Sequence, residues 1–260
     1  MVVCALVAVV LGLGTSVGSS TRAAAPLRAG LPSAVSLERS GRDRPPPRPT
    51  VPQRVPGGDG VTWVHPPISP GPDPAPITVV LHGACGAPGP GCSLWSQAAT
   101  ERGWLLCPSG PRRCGDAWDW SGTGADKRTH LDAAITAVVD SWPTHVAQED
   151  RVLVGFSRGA FAARDILYAG AHFRGVVFIG AAFVPDPAKL RDQGVRRVVF
   201  ACGDHDGARP TMLKATATLV RAGLEARFVS TGRIWHQLPS DLSERMAEPL
   251  AWVSERPPAT

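Results

Sequence analysis

Ser157 stands between glycines in Gly155-Phe156-Ser157-Arg158-Gly159, after the apolar run Arg151-Val152-Leu153-Val154 and before Ala160-Phe161-Ala162-Ala163. A serine hydroxyl becomes a nucleophile when a base takes its proton and a third group orients that base. This context favours such a use. A strand that feeds a helix through so short a turn needs glycine on both sides of the serine, because the two backbones pass too closely for a Cβ. The turn strains the serine, lifts its Oγ above the sheet and aims free helix N–H groups at developing negative charge. The five-residue pattern is weak evidence by itself; its flanks carry the argument.

Partners for the serine follow along the chain. Phe200-Ala201-Cys202-Gly203-Asp204-His205-Asp206 closes an apolar run with two aspartates, and Gly232-Arg233-Ile234-Trp235-His236-Gln237 supplies a histidine ahead of the last helical pattern. His236 is read as the base, and Asp204 and Asp206 both as candidates for the group that holds its imidazole. His205 is read as structural, and histidines 65, 130, 145 and 172 as surface or core residues.

Short apolar runs alternate with helical patterns from residue 61 onward. Strands are expected at 61–65 (an edge strand), 77–83, 104–107, 151–156, 175–179, 196–201 and 226–229. Helices are expected at 94–102, 129–142, 158–168, 211–222 and 242–253. Continuous apolar strands separated by helices imply an α/β fold with a mostly parallel sheet covered on both faces. Sites in such sheets lie at the carboxyl ends of the strands, which is where Ser157, the two aspartates and His236 all fall.

The chain has 260 residues, of which 43% are hydrophobic, enough for one sizeable core. Residues 1–25 combine an apolar run, too short to span a membrane, with an Ala-x-Ala site. They are read as a signal peptide, an uncleaved N-terminal anchor being the alternative. Residues 26–60 hold eight prolines and six arginines and are read as a disordered linker. The folded domain is assigned to 61–260. Residues 1–60 carry seven arginines against Glu38, Asp43 and Asp59, which is +4 of the whole chain's +5. The basic character therefore belongs to the tail, and the domain itself has no nucleic-acid signature.

Among the six cysteines, Cys85, Cys92, Cys107 and Cys114 cluster. In an exported chain they imply two disulfides with three possible connectivities. Cys85–Cys92 with Cys107–Cys114 is the expected pairing, a zinc site the rival, and Cys202 a buried single thiol. No metal or organic cofactor is expected.

Leu81-His82-Gly83, the serine pentapeptide, Gly203-Asp204-His205-Asp206 and His236 match, in order, the landmarks of the α/β-hydrolase superfamily. The resemblance covers roughly residues 61–255. The His-Gly turn followed by a cysteine is also similar to secreted polyester depolymerases and feruloyl esterases. The resemblance implies an α/β-hydrolase fold and cleavage of an ester or amide by Ser157, His236 and an aspartate. It favours Asp206, since members commonly place the acid three residues after the strand-ending glycine. It implies that the His82-Gly83 turn supports an oxyanion loop whose donors are the backbone N–H of Ala84 and of Arg158, with Cys85 as an alternate.

The Arg158 side chain, a cation at a helix N-terminus, is read as an ion-pair partner of Asp186 or a neighbouring acid, or as a contact to an anionic substrate group. Trp118 and Trp120, with Cys85, are candidates to line a pocket; the tryptophans are equally suited to a small core of their own. Only about 14 residues separate the strand ending near 180 from the one starting near 195, too few for a helical cap domain. A shallow, open site follows from that. The expected protein is a secreted or periplasmic serine esterase acting on a small or polymeric ester, without stable membrane insertion once the signal peptide is removed. A peptidase of the same fold and a non-catalytic binding protein are the rivals.

Overall fold

The computed structural model describes residues 47–57 and 60–255. The expected signal peptide and most of the expected linker lie outside the described residues. Ten strands and seven helices are described: β1 (Gln53–Gly57), β2 (Gly60–His65), β3 (Ile77–Leu81), α1 (Pro88–Ser93), α2 (Ser96–Thr100), β4 (Trp104–Pro108), β5 (Arg112–Cys114), β6 (Ala117–Asp119), α3 (Gly124–Ser141), β7 (Val152–Phe156), α4 (Arg158–Tyr168), β8 (Gly175–Ile179), α5 (Pro187–Asp192), β9 (Arg197–Cys202), α6 (Arg209–Arg221), β10 (Glu225–Ser230) and α7 (Leu242–Ser254).

Eight of the strands form one sheet in the order β1-β2-β4-β3-β7-β8-β9-β10. From β4 to β10 every neighbouring pair is parallel, while β2 runs antiparallel to both β4 and β1. The inner strands Ile77–Leu81, Trp104–Pro108 and Gly175–Ile179 are buried along their whole length. That burial accounts for their unbroken apolar sequences. One sheet face packs Leu131, Ile135, Ile166 and Met212 of α3, α4 and α6 against Leu153 and Phe200. The other packs Cys92, Ala98, Met246 and Leu250 of α1, α2 and α7, with Trp95 from the turn between α1 and α2, against Val80, Val154 and Val199. The described residues form a three-layer α/β sandwich, as the strand pattern predicts, and among them no helix is long and apolar enough to cross a membrane.

The sheet order reverses between β3 and β7. The chain leaves β3 toward β4 on one side and leaves β7 toward β8 on the other, so the connections after these two strands diverge to opposite faces. α1 and α2 follow β3 on one face and α4 follows β7 on the other. The crevice so formed at the carboxyl ends is where a doubly wound sheet binds ligands. Leu81-His82-Gly83 and Ser157 border it.

Three expectations need correction. Residues 61–65 are not the edge strand: Gln53–Gly57 pairs antiparallel with β2 and covers it. The domain therefore begins inside the segment read as linker. Arg54, Pro56 and the prolines around them hide that strand, because Pro cannot donate to a ladder and is confined to edges, which is where β1 lies. Between β4 and α3, where no strand is expected, β5 and β6 form a hairpin, and α3 starts at Gly124 rather than 129. Thr123 caps that helix: its side chain accepts from the Asp126 N–H, and Asp126 accepts from the Thr123 N–H.

The disulfides are Cys85–Cys114 and Cys92–Cys107, not the expected neighbours in sequence. Cys92, on α1, and Cys107, on β4, face each other inside the second core layer. Cys85 lies in the loop after β3, next to the hairpin that carries Cys114. With all four paired, no thiolate remains among them for zinc. Among the described residues, no cluster of three or more His, Cys, Asp or Glu is arranged to hold a metal ion.

Candidate active site

Ser157 is the residue between β7 and α4, with φ 51° and ψ −117°. Such a backbone costs a non-glycine residue on the order of 1–3 kcal/mol and persists only where its surroundings fix it. The fixing contacts are close. A Cβ on Gly155 would stand 2.4 Å from the Gly159 carbonyl oxygen, and one on Gly159 would stand 2.2 Å from that of Leu81. Both glycines are therefore required by the approach of α4 to β7 and β3. The Ser157 N–H donates to the Ile179 carbonyl at 2.8 Å. Arg158 opens α4, so its N–H has no intrahelical acceptor.

His236 comes to the serine from the loop between β10 and α7. Its Nε2 lies 2.9 Å from Ser157 Oγ and its Nδ1 2.8 Å from Asp206 Oδ2. A carboxylate only accepts, so Nδ1 carries the proton and Nε2 is the acceptor for the serine hydroxyl. Asp206 is 6% exposed, and its Oδ1 accepts from the Ala208 N–H at 2.8 Å. The two loops are tied to each other by main-chain bonds from the Asp204 N–H to the Gly232 carbonyl and from the His205 N–H to that of Ile234. Gly203 permits this: a Cβ there would lie 2.1 Å from the Ile234 oxygen. Asp204 points elsewhere, accepting from the Ser230 hydroxyl at 2.7 Å, with the Arg209 guanidinium 3.8 Å away. His205 lies against Trp235 with the rings tilted, and Trp235 is 71% exposed.

Two further residues surround the imidazole. Phe156 stacks on it with centroids 5.3 Å apart. Gly180, at φ +58°, leaves room for it: a Cβ would meet His236 Cε1 at 2.9 Å and Asp206 Oδ2 at 3.2 Å. The only sequence sign of Gly180 is its place at the end of the apolar run 175–179. Cys202, beneath Asp206, is buried, and burial followed by the nearby Asp206 charge pushes its thiol up to about 11.

The loop 83–87 borders the crevice from β3. His82 is 7% exposed and joins two loops: its Nδ1–H donates to the Gly83 carbonyl at 2.7 Å, and its Nε2 accepts from the Gly110 N–H at 3.0 Å. Burial lowers its pKa, which keeps this neutral tautomer in place. Ala84 and Cys85 are exposed at the crevice rim. Arg158 pairs with Asp119 at 3.4 Å, not with Asp186, which caps α5 instead. Burial works against the Asp119 charge, but hydrogen bonds from Ser121 and the Arg158 guanidinium hold its pKa below the usual carboxylate value.

The tryptophans divide. Trp120 is fully buried and packs against His82 and His130. Trp118 is nearly buried under the Arg113 guanidinium. Neither lines the cavity beside the serine, nor does Cys85, so these three pocket candidates are corrected. That cavity measures about 230 Å³ and is bounded chiefly by Val80, Ala84, Trp95, Val154, Phe156 and Leu238. No charged side chain lines it. Two larger cavities, of about 580 and 570 Å³, lie away from Ser157 and His236.

No family model and no curated protein sequence matches this chain. Solved structures do. A lidless α/β serine hydrolase of Xanthomonas campestris matches with TM-score 0.55 and 18% identity over 82% of this chain and 100% of that one. An esterase of Pyrobaculum calidifontis matches with TM-score 0.58 and 12% identity over 78% and 84%. An S-formylglutathione hydrolase of Agrobacterium tumefaciens matches with TM-score 0.58 and 14% identity over 81% and 97%. The fold is that of the α/β hydrolases. Ser157, Asp206 and His236 follow the parallel strands β7, β9 and β10 at the carboxyl edge, and the connection from β8 to β9 contains only the six-residue α5.

Proposed function

We propose that the protein is a serine hydrolase that cleaves carboxylic esters through an acyl-enzyme. The observation that carries this reading is the relay from Ser157 Oγ to His236 Nε2 at 2.9 Å and from His236 Nδ1 to Asp206 at 2.8 Å. Ser157 Oγ attacks the ester carbonyl carbon as His236 Nε2 takes its proton. Asp206 stays ionised, fixes the tautomer and stabilises the imidazolium. The N–H groups of Ala84 and Arg158 receive the negative charge that develops on the carbonyl oxygen. His236 then protonates the departing alkoxide, and a water repeats the sequence on the acyl-serine to release the acid.

The 230 Å³ cavity beside the loop 83–87 suits the acyl group. Its lining is apolar, and both nitrogens of the one histidine there are occupied by backbone groups. The two disulfides fit a secreted or periplasmic location, since such bonds persist in oxidising compartments. The first test is a fluorophosphonate probe, which should label Ser157 in the wild type and nothing in Ser157→Ala. Absence of label from the intact protein would favour a non-catalytic role for the scaffold. Label without turnover of p-nitrophenyl esters, but with cleavage of peptides, would favour a peptidase.

A further inference from the structure

The loop that carries the Ala84 N–H is fastened to a hairpin that also touches the start of α4. Three links hold the loop. His82 Nδ1 donates to the Gly83 carbonyl. The Trp118 N–H donates to the Gly86 carbonyl at 3.1 Å, forming an isolated bridge between these residues. Cys85 is bonded to Cys114. The second and third links both end on the β5–β6 hairpin. Asp119, at the end of that hairpin, pairs with the side chain of Arg158. One short hairpin therefore reaches the neighbours of both N–H groups assigned to the oxyanion.

A hairpin with three-residue strands has little stability of its own. The Asp119–Arg158 pair is half open to solvent on the arginine side and contributes little by itself. Cys85 has φ 44°, in the left-handed region, which a non-glycine residue keeps only where its surroundings determine it. The covalent link to Cys114 is the firmest such determinant at that position. The other bridge is placed differently: Cys92 and Cys107 are 0% and 1% exposed, inside the core.

We propose that the Cys85–Cys114 disulfide is a positioning device for the transition state: it holds the Ala84 N–H where the oxyanion forms. This rests on the ester-cleaving role of Ser157. A donor that meets developing charge acts on the transition state and leaves ground-state binding untouched. Freeing the loop therefore lowers kcat and leaves KM in place.

The test is hydrolysis of p-nitrophenyl acetate by the double variant Cys85→Ala, Cys114→Ala, assayed well below its Tm. Complete removal of an oxyanion donor lowers kcat by about 10²–10³; a loosened one should lower it about tenfold or more, with KM within about twofold. A merely structural bridge would lower Tm and leave kcat intact, and that result overturns the inference. Should the variant fold poorly, the oxidised wild type is treated with a water-soluble trialkylphosphine. The phosphine becomes its oxide with the oxygen of one water, and the two hydrogens of that water end on the two cysteine thiols. Alkylation and mass spectrometry then identify which bridge has opened. The rate should fall in step with opening of Cys85–Cys114 while Cys92–Cys107 remains closed; a full rate with Cys85–Cys114 open overturns the inference. Fluorophosphonate labelling of the untreated protein separates the two readings. Labelled Ser157 with an unchanged kcat in the variant removes the positioning role alone, whereas an unlabelled, inactive wild type removes both.

Discussion

Asp204 and Asp206 stand two residues apart, yet their side chains serve different loops. Asp206 is buried and turned toward His236, and Asp204 is turned toward Ser230 and Arg209. Asp206→Asn should therefore lower kcat by as much as about 10⁴, through loss of the correct imidazole tautomer. Asp204→Asn should change it by less than about threefold; steady-state kinetics on a soluble ester would show the reverse ranking if the assignment were wrong. Gly180→Ala should act on the same imidazole from below. Its Cβ at 2.9 Å from His236 Cε1 must displace the ring, and a misplacement of about 1 Å costs about 10²-fold in rate. A Gly180→Ala variant with wild-type kcat would mean that the ring needs no such support. Ser157 could be singled out in sequence because it abruptly follows an apolar run between glycines; Asp204 and Asp206 follow the same run two residues apart, and only the family resemblance favoured Asp206. Gly180 could not be singled out, since the reason for it is a contact with a residue 56 positions away.

At the level of elements, the connection between β8 and β9 decides how much of a substrate can be covered. It holds one helix, Pro187–Asp192, and nothing there can fold over the crevice. The sequence led to an expectation of a site shallow throughout, and the cavity under the loop 83–87 departs from it. That cavity is bounded by residues of β3, the loop after it, α1, Trp95, β7 and Leu238, which no periodicity brings together in sequence. Within about 230 Å³, each methylene is worth up to about 0.8 kcal/mol; beyond it, added length meets solvent. Rates on p-nitrophenyl esters should rise or hold from acetyl to butyryl and fall steeply by palmitoyl, with no jump above the solubility limit. A preference for palmitoyl would require a cover that some other segment supplies. The inner strands were readable as apolar runs, β-branched in β3, β7 and β8. β5 and β6 are too short to give a pattern, and the cysteine partners depend on which Sγ atoms the fold brings together rather than on spacing.

For the whole molecule, the layered architecture followed from the alternation of strands and helices, while the domain boundary was missed because β1 is written in prolines and arginines. Global stability should respond to buried histidine. His82 has its pKa lowered by burial, and so does His65. The unfolded chain protonates near pH 6.5. Between that value and the lower native one, the unfolded state binds more protons, so stability rises with pH there and is lost as pH falls below about 6.5. Tm should drop from pH 6.5 to 5, and His82→Asn should flatten that drop; an equal slope in the variant would assign it to other groups.

An open sheet also has two rims, β1 and β10, and each is a template on which another chain could pair. Both are blunted: β1 bears Arg54 and Pro56, and β10 bears Glu225 and Arg227, the latter paired with Glu248 and lying over Trp252. Self-association by strand addition should therefore be suppressed in concentrated solution. Arg227→Val would remove one guard without touching the crevice, and light scattering at high concentration should register larger species for that variant first.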